Sequence, residues 1–113
     1  DEMKQTNLPF TYQDSSVQDV LVKMTEGRLG LALVGTKEYL NGVITDGDIR
    51  RALIDKSNFS ELKAKDLMNK NPLTALETDN LQLAENRMRE AKVQCLIVKN
   101  KINEVVGVIQ IFE

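Results

Sequence analysis

The segment Ser16-Val-Gln-Asp-Val-Leu-Val-Lys-Met24 recurs as Asn80-Leu-Gln-Leu-Ala-Glu-Asn-Arg-Met88, 64 positions further along the chain. Two further pairs of segments continue the repeat: Leu31–Val34 with Cys95–Val98, and Gly42–Ile44 with Gly107–Ile109. The last pair is offset by 65 positions, because the preceding loop is one residue longer in the second copy. The chain therefore consists of two copies of one unit, and a repeat of this kind determines the architecture.

Each copy is predicted to form a strand, a helix, two strands and a second helix. In the first copy, Val17, Val20 and Met24 recur at helical spacing behind Ser16, a typical helix cap, and Gly27 ends that helix. Residues 31–34 and 40–45 are predicted to form a hairpin, and residues 46–56 an amphipathic helix. In the second copy, the helix spans 81–88 and the strands 96–98 and 105–109, and the last helix is expected to be truncated or absent.

We predict an α/β (α+β) fold in which two tandem β-α-β-β-α repeats pack with pseudo-twofold symmetry. The first repeat, with its N-terminal linker, is assigned to residues 1–60 and the second to residues 61–113. Units of roughly fifty residues lie near the lower limit of independent folding, so each should bury its apolar faces against the other. Such packing creates related clefts between the repeats, where small ligands bind.

The composition is that of an ordinary folded protein, with 42% hydrophobic and 28% charged residues among 113. The net charge of −2 leaves no basic stripe for nucleic acid, and no apolar run approaches the ~20 residues that span a membrane. The lone Cys95 excludes an intramolecular disulfide, and we expect a cytoplasmic protein. A start at Asp1, without Met, suggests a fragment of a longer chain.

The chain has no His and no Trp. The commonest general acid–base and the commonest metal ligand are therefore missing, which argues against zinc and serine-triad chemistry. No pair of carboxylates or lysines stands in a markedly apolar setting that would shift its pKa values. We predict that this chain is not itself an enzyme and holds no metal.

The string Gly42-Val-Ile-Thr-Asp-Gly-Asp-Ile-Arg-Arg-Ala-Leu53 runs from a buried strand directly into a helix. Thr45 and Asp48 have the spacing of a capping box, which explains both residues without any ligand. The same geometry suits a ligand, because a helix start attracts phosphate and an Asp can accept hydrogen bonds from ribose hydroxyls. Arg50 and Arg51 would then neutralise a phosphate or a carboxylate. Judged by pattern alone, capping is the commoner of the two explanations.

Two tandem units of this pattern, each built around Gly-hydrophobic-hydrophobic-Thr/Ser-x-x-Asp, resemble the cystathionine-β-synthase (CBS) domain pair. The first copy matches the motif through Gly42, Thr45 and Asp48. The second copy keeps Gly107 but has Gln110 and Glu113 where Thr and Asp are expected. The cleft that carries Asp48 is therefore the stronger candidate for a ligand site.

A narrower resemblance rests on the string TDGDIRRAL, together with Leu8-Pro9, Asp66–Pro72 and Gly107–Phe112. These segments resemble the C-terminal regulatory region of arabinose-5-phosphate isomerases of the sugar-isomerase (SIS) family. The resemblance implies a parent enzyme that converts D-ribulose 5-phosphate to D-arabinose 5-phosphate for Kdo and lipopolysaccharide biosynthesis, with catalysis in a separate N-terminal domain. CBS pairs fused to sugar nucleotidyltransferases carry a similar string, so that parent is the alternative.

The resemblance also implies which residues bind the ligand. In the family, the Thr-x-x-Asp of one repeat faces the first and second strands of the other. Asp48 would hold ribose, Thr45 and Arg51 would hold phosphate, and Arg50 would lie nearby. The residues expected opposite them are Thr74, Ala75, Gln94 and Cys95. The expected ligand is a regulatory nucleotide, either CMP-Kdo or an adenine nucleotide, with no other cofactor; burial as a small apolar residue is the alternative role of Cys95.

A purely structural role remains the competing hypothesis. CBS pairs commonly assemble through their helical faces, so we expect a homodimer here and a homo-oligomeric parent. The altered second motif, Gln110 and Glu113, favours a structural role for that cleft. The expected partners are thus small nucleotides and further copies of the chain, and neither nucleic acid nor a membrane.

Overall fold

The computed structural model describes residues 3, 5, 7–55 and 58–111. These residues contain a short 3-10 turn at Phe59–Glu61, four helices and six strands. In chain order the helices and strands are β1 (Phe10–Thr11), α1 (Val17–Gly27), β2 (Leu31–Gly35), β3 (Leu40–Thr45), α2 (Asp46–Asp55), α3 (Ala64–Leu67), β4 (Thr74–Leu76), α4 (Leu81–Ala91), β5 (Cys95–Lys99) and β6 (Val105–Gln110). The mixed α/β class and the repeated order of elements confirm the prediction.

The strands form two three-stranded sheets of identical topology, β1-β2-β3 and β4-β5-β6. In each sheet the first strand is parallel to the middle strand, and the middle and last strands are antiparallel. Both hairpins have an irregular register at the same place, between Val34 and Gly35 and between Val98 and Lys99. The sequence repeat is therefore reproduced in the hydrogen bonding.

The chain divides into two compact units. One contains Pro9–Thr36 and Leu40–Asn71, and the other contains Pro72 onward, the described residues before Pro9, and the turn Lys37–Tyr39. In the second of these units, the amide of Val105 donates to the carbonyl of Lys37 at 2.8 Å. Residues 61–71 thus pack with the first unit, while the assignment of the sequence repeats to 1–60 and 61–113 stays a prediction.

Helix α1 begins after Ser16 and ends at Gly27, as its sequence predicts. The Ser16 hydroxyl accepts from the Asp19 amide at 3.1 Å, which supplies the expected cap. At the other end Gly27 is the last helical residue, and Arg28 takes the left-handed conformation, with φ of 58°. Gly27 is required for space, because an added Cβ would lie 2.9 Å from the Cβ of Pro9.

Each unit has its own apolar core. The core of the first unit comprises Val17, Val20, Met24, Ala32, Val34, Ile44, Ile49, Ala64 and Leu67. The core of the second comprises Ala75, Ala84, Met88, Leu96, Val98, Ile109 and Ile111. Met24 and Met88, at equivalent positions of the repeat, lie in the cores, while Met3 and Met68 pack at the edges of the cores.

The segment after α2 carries two short elements that the sequence analysis did not predict, the 3-10 turn and α3. This segment is fixed to the first unit, because the amides of Ala64 and Lys65 donate to the carbonyls of Ser15 and Gln13. Asn69 then forms an antiparallel bridge with Val43 on the free edge of β3. No helix among the described residues is long and apolar enough to span a membrane.

Candidate functional site

The β3–α2 corner, defined as residues 45–48, joins the last strand of the first sheet to α2 without a loop. On one edge of β3, Thr45 pairs with Leu31 of β2. On the other edge, Val43 exchanges two backbone hydrogen bonds with Asn69, at 2.8 and 3.0 Å. The strand is held on both sides immediately before the corner, so the start of α2 has a fixed position.

Gly42 permits this close packing. A Cβ at Gly42 would lie 2.8 Å from the carbonyl oxygen of Asn69 and 2.9 Å from the Sδ of Met68. Any side chain would push the segment after α3 away from β3. The glycine of the Gly-Val-Ile-Thr motif therefore has a packing role, and Asn69 and Met68 are supporting residues that the sequence analysis missed.

Thr45 and Asp48 form the predicted capping box. The Thr45 backbone amide donates to Asp48 Oδ2 at 2.9 Å, and the Thr45 hydroxyl is 3.0 Å from the same oxygen. The Asp48 amide reaches Thr45 Oγ1 at 3.3 Å. This network holds the carboxylate at the start of α2, where the positive end of the helix dipole stabilises negative charge.

Arg51 binds the second oxygen of the same carboxylate. Its Nη2 donates to Asp48 Oδ1 at 2.6 Å, in an ion pair between positions i and i+3 of the helix. The Asp48 side chain is only 15% exposed, whereas the Arg51 side chain is 68% exposed. Arg50 is also exposed, and its neighbour Arg51 is the arginine that contacts Asp48.

The corner thus combines three groups with distinct chemistry: a hydroxyl, a half-buried carboxylate and an exposed guanidinium. A carboxylate accepts hydrogen bonds from vicinal hydroxyls, and a guanidinium binds phosphate or carboxylate through its fixed fork of donors. The arrangement is suited to a ligand that carries both a diol and an anionic group. Among the residues that the structure describes, no cluster of three His, Cys, Asp or Glu side chains could hold a metal ion.

The other predicted residues lie in the second unit. Thr74 and Ala75 belong to β4 and pair with Ile97 and Val98. Cys95, at the start of β5, is half-buried and pairs with Gln110, at the end of β6.

Gln94 lies directly before Cys95, and its carbonyl accepts from the Ile111 amide at 2.9 Å. Glu113 lies outside the described residues. A shared cleft between these residues and the β3–α2 corner stays a prediction.

A family model described as "CBS domain" matches residues 2–55 and again residues 64–111. The chain belongs to the CBS domain family. The two matches cover both repeats, which confirms the predicted tandem CBS pair. The β3–α2 corner is the place where the first CBS repeat carries its Thr-x-x-Asp motif.

The CBS pair is similar to part of several curated proteins. It is 43% identical to a probable arabinose 5-phosphate isomerase of Haemophilus influenzae, over 96% of this chain and 33% of that protein. It is 34% identical to the arabinose 5-phosphate isomerase KpsF of Escherichia coli, over 99% of this chain and 35% of that protein. The chain spans about a third of the length of these relatives.

Solved structures show the same fold. A CBS domain protein from Pyrobaculum aerophilum complexed with AMP matches 97% of this chain and 82% of its own, with a TM-score of 0.79 and 24% identity. CBSX2 in complex with AMP matches 96% of this chain and 85% of its own, with a TM-score of 0.76 and 26% identity. Both similarities extend over nearly the whole CBS pair.

Proposed function

We propose that this CBS pair is a regulatory module that binds a nucleotide at the β3–α2 corner. Asp48 accepts hydrogen bonds from the ribose hydroxyls, and Thr45 and Arg51 bind the phosphate, with Arg50 adding positive charge nearby. Membership in the CBS family supports this proposal, as does the similarity to solved CBS proteins complexed with AMP. The module carries out no catalytic step of its own.

One observation carries the proposal: the Asp48 carboxylate is held at a helix start by Thr45 and lies beside an exposed guanidinium. A capping box alone needs no arginine. The addition of Arg51 places an anion-binding group 2.6 Å from the carboxylate that would bind the diol. Completion of the site by Thr74, Ala75, Gln94 and Cys95 is part of the proposal, and Gln110 and Glu113 form a second, altered site.

The larger protein is proposed to be an arabinose-5-phosphate isomerase, because the two relatives described above, of Haemophilus influenzae and Escherichia coli, carry that name. Interconversion of ribulose 5-phosphate and arabinose 5-phosphate would then take place in another part of that protein. A CMP-activated sugar acid is the proposed feedback ligand and an adenine nucleotide the alternative, since both join a ribose to an anionic group. A sugar nucleotidyltransferase is the alternative parent.

The proposal is tested by titration calorimetry of the chain with AMP, ATP, CMP, CMP-Kdo and S-adenosylmethionine. We expect at least one nucleotide to bind and Asp48→Ala to weaken its binding at least tenfold, because a hydrogen bond to a charged group is lost for each ribose hydroxyl. Absence of heat from every probe, or full binding by the variant, would contradict the proposal.

Asp66→Ala is the matched control. Asp66 also caps a helix of the first unit, since its Oδ2 accepts from the Lys63 amide at 2.8 Å. Both variants lose a capping hydrogen bond, which costs about 1 kcal/mol of stability. Only the Asp48 variant removes the proposed ribose acceptor, so Asp66→Ala should bind the nucleotide as the unaltered chain does.

A structural role as a dimerisation module is the second candidate. It is supported by the exposed apolar side chains of α2, Leu53 at 55% and Ile54 at 82% exposure, and by Gln110 in place of the motif threonine. A chain that sediments as a dimer, and in which Asp48→Ala changes neither the dimer nor any nucleotide binding, would favour this function.

A further inference from the structure

The described residues before Pro9 precede β1 in the sequence, yet they belong to the second unit. We propose that this N-terminal segment, residues 1–8, is a strap that closes the outer edge of β6. It would do so in the same way as the segment after α3 closes the outer edge of β3 in the first unit. The strap is independent of nucleotide binding at the β3–α2 corner.

The strap repeats the sequence of the segment after α3. Asp1-Glu-Met3 corresponds to Asp66-Leu-Met68 at an offset of 65 positions. Gly42 of β3 corresponds to Gly107 of β6 at the same offset. Met3 is therefore related to Gly107 in the sequence as Met68 is related to Gly42.

The two hairpins place Val43 and Val108 equivalently. Val43 lies opposite Leu33, and Val108 lies opposite Ile97. Val43 exchanges two backbone hydrogen bonds with Asn69, so its N–H and C=O point away from β2. In an antiparallel ladder, pairs that exchange hydrogen bonds alternate with pairs that do not, and Val108 has the same place in this alternation. Its N–H and C=O therefore point to the outer edge of β6.

The outer edge of β6 is buried at this point, because Val108 is only 1% exposed. Buried backbone N–H and C=O groups are nearly always paired, since an unpaired group costs free energy comparable to a lost hydrogen bond. The turn 37–39 covers only the start of the edge, where the Val105 amide donates to the Lys37 carbonyl at 2.8 Å. The edge at Val108 requires a partner from another segment.

Met3 indicates which segment supplies that partner. It is half-buried and packs against the core of the second unit, and Gly107 is buried as well. In the first unit, the Sδ of Met68 lies 2.9 Å from the position of a Cβ built on Gly42. The same contact between Met3 and Gly107 would bring the backbone beside Met3 to the N–H and C=O of Val108.

A strap of this kind is a conformational device. While it is bound, it holds β6 shortly before Gln110, the counterpart of Thr45 in the second copy. When it is released, it leaves an edge of unpaired N–H and C=O groups that another strand can occupy. Residues 1–8 also lead into Pro9 and β1, so the strap ties the start of the first repeat to the sheet edge of the second.

Amide hydrogen exchange of the whole chain tests the strap. We expect Met3→Ala to accelerate exchange of the Val108 amide about tenfold or more, because the edge opens locally. The amides of Ile97, in the middle strand of the same sheet, and of Val43, in the other unit, should change by less than about threefold. Met68→Ala is the matched control, and it should accelerate Val43 while Val108 stays unchanged.

Nuclear Overhauser contacts in the unaltered chain locate the strap directly. Side-chain protons of Met3 should contact the α-protons of Gly107, as those of Met68 contact the α-protons of Gly42. Met3→Leu retains a large apolar side chain and should retain the slow exchange of Val108. Recovery by leucine would show that the strap is held by apolar packing.

Unchanged exchange of Val108 in Met3→Ala would overturn the strap. Equal acceleration at Val108, Ile97 and Val43 would also overturn it, because it would indicate a general loss of stability. A missing contact between Met3 and Gly107, in spectra that show the contact between Met68 and Gly42, would have the same consequence. Each of these results would leave the proposed nucleotide site unaffected.

Discussion

Gly42 lies where β3 meets the segment after α3, and the backbone of Asn69 leaves no room for a side chain there. Gly42→Ala should lower the free energy of unfolding by about 1–3 kcal/mol, because an extra methyl group in a packed region displaces its neighbours. Urea denaturation of the variant and the unaltered chain measures the loss. An unchanged urea midpoint would contradict the close approach of 2.8 Å to the Asn69 oxygen.

An alanine at position 42 would meet both the carbonyl oxygen of Asn69 and the side chain of Met68. The double variant Gly42→Ala, Met68→Ala distinguishes the effects of these two contacts. The smaller residue at position 68 removes the sulfur at 2.9 Å but leaves the Asn69 carbonyl oxygen in place. The alanine at position 42 should therefore still destabilise a chain that already carries Met68→Ala. If Gly42→Ala does not lower the stability of a chain that carries Met68→Ala, the whole loss in the single variant comes from the contact with the methionine side chain.

The roles of single residues could be predicted from the sequence where they depend only on residues a few positions away. Ser16 caps α1, and Thr45 with Asp48 forms the capping box, because each depends only on residues three positions apart. The contact of Arg51 with Asp48 could have been inferred from the same spacing. The contact of Gly42 with Asn69 could not, since it depends on how a distant segment returns to the edge of β3.

The helices and strands of the repeat were predicted because their apolar residues recur at a regular period, and because each copy confirmed the other. Helix α3 was missed, since its four residues, Ala64–Leu67, are too few to show a period. The lysines in and around α3, Lys63, Lys65 and Lys70, are exposed. The backbone between those lysines is nevertheless held by hydrogen bonds that composition does not reveal.

These hydrogen bonds lead to a prediction for the segment after α3. Asn69 is an exposed residue, yet its backbone amide donates to the Val43 carbonyl at 2.8 Å. Native-state hydrogen exchange should show the amide of Asn69 protected at least a hundredfold, close to the protection of Val43, because both open with the edge of β3. The backbone amide of Asn71 is the comparison, since it donates to the exposed side chain of Asn69, two residues away, at 3.0 Å and should exchange faster. Fast exchange at Asn69 would contradict the bridge.

The two units differ in the number of chain segments that form them. The first unit draws on Pro9–Asn71 apart from one turn, whereas the second gathers residues from three places in the sequence. The repeat, the topology and the family could be predicted from the sequence. The repeat and the topology follow from comparing the two copies, and the family follows from the motif that the first copy carries. A ligand site that joins both copies depends on their arrangement, which periodicity does not encode, and it therefore stays a prediction.

The fragment 9–71, produced on its own, should be much less stable than the whole chain because it is short. A unit of about 60 residues buries only about 60% of the surface of its unfolded chain and is marginally stable. The fragment also separates Lys37 from the Val105 amide, so the turn 37–39 loses its hydrogen bond. We expect the fragment to be largely unfolded by circular dichroism at 25 °C, under conditions in which the whole chain is folded. A fragment that unfolds cooperatively, at the same urea concentration as the whole chain, would show that the first unit folds by itself.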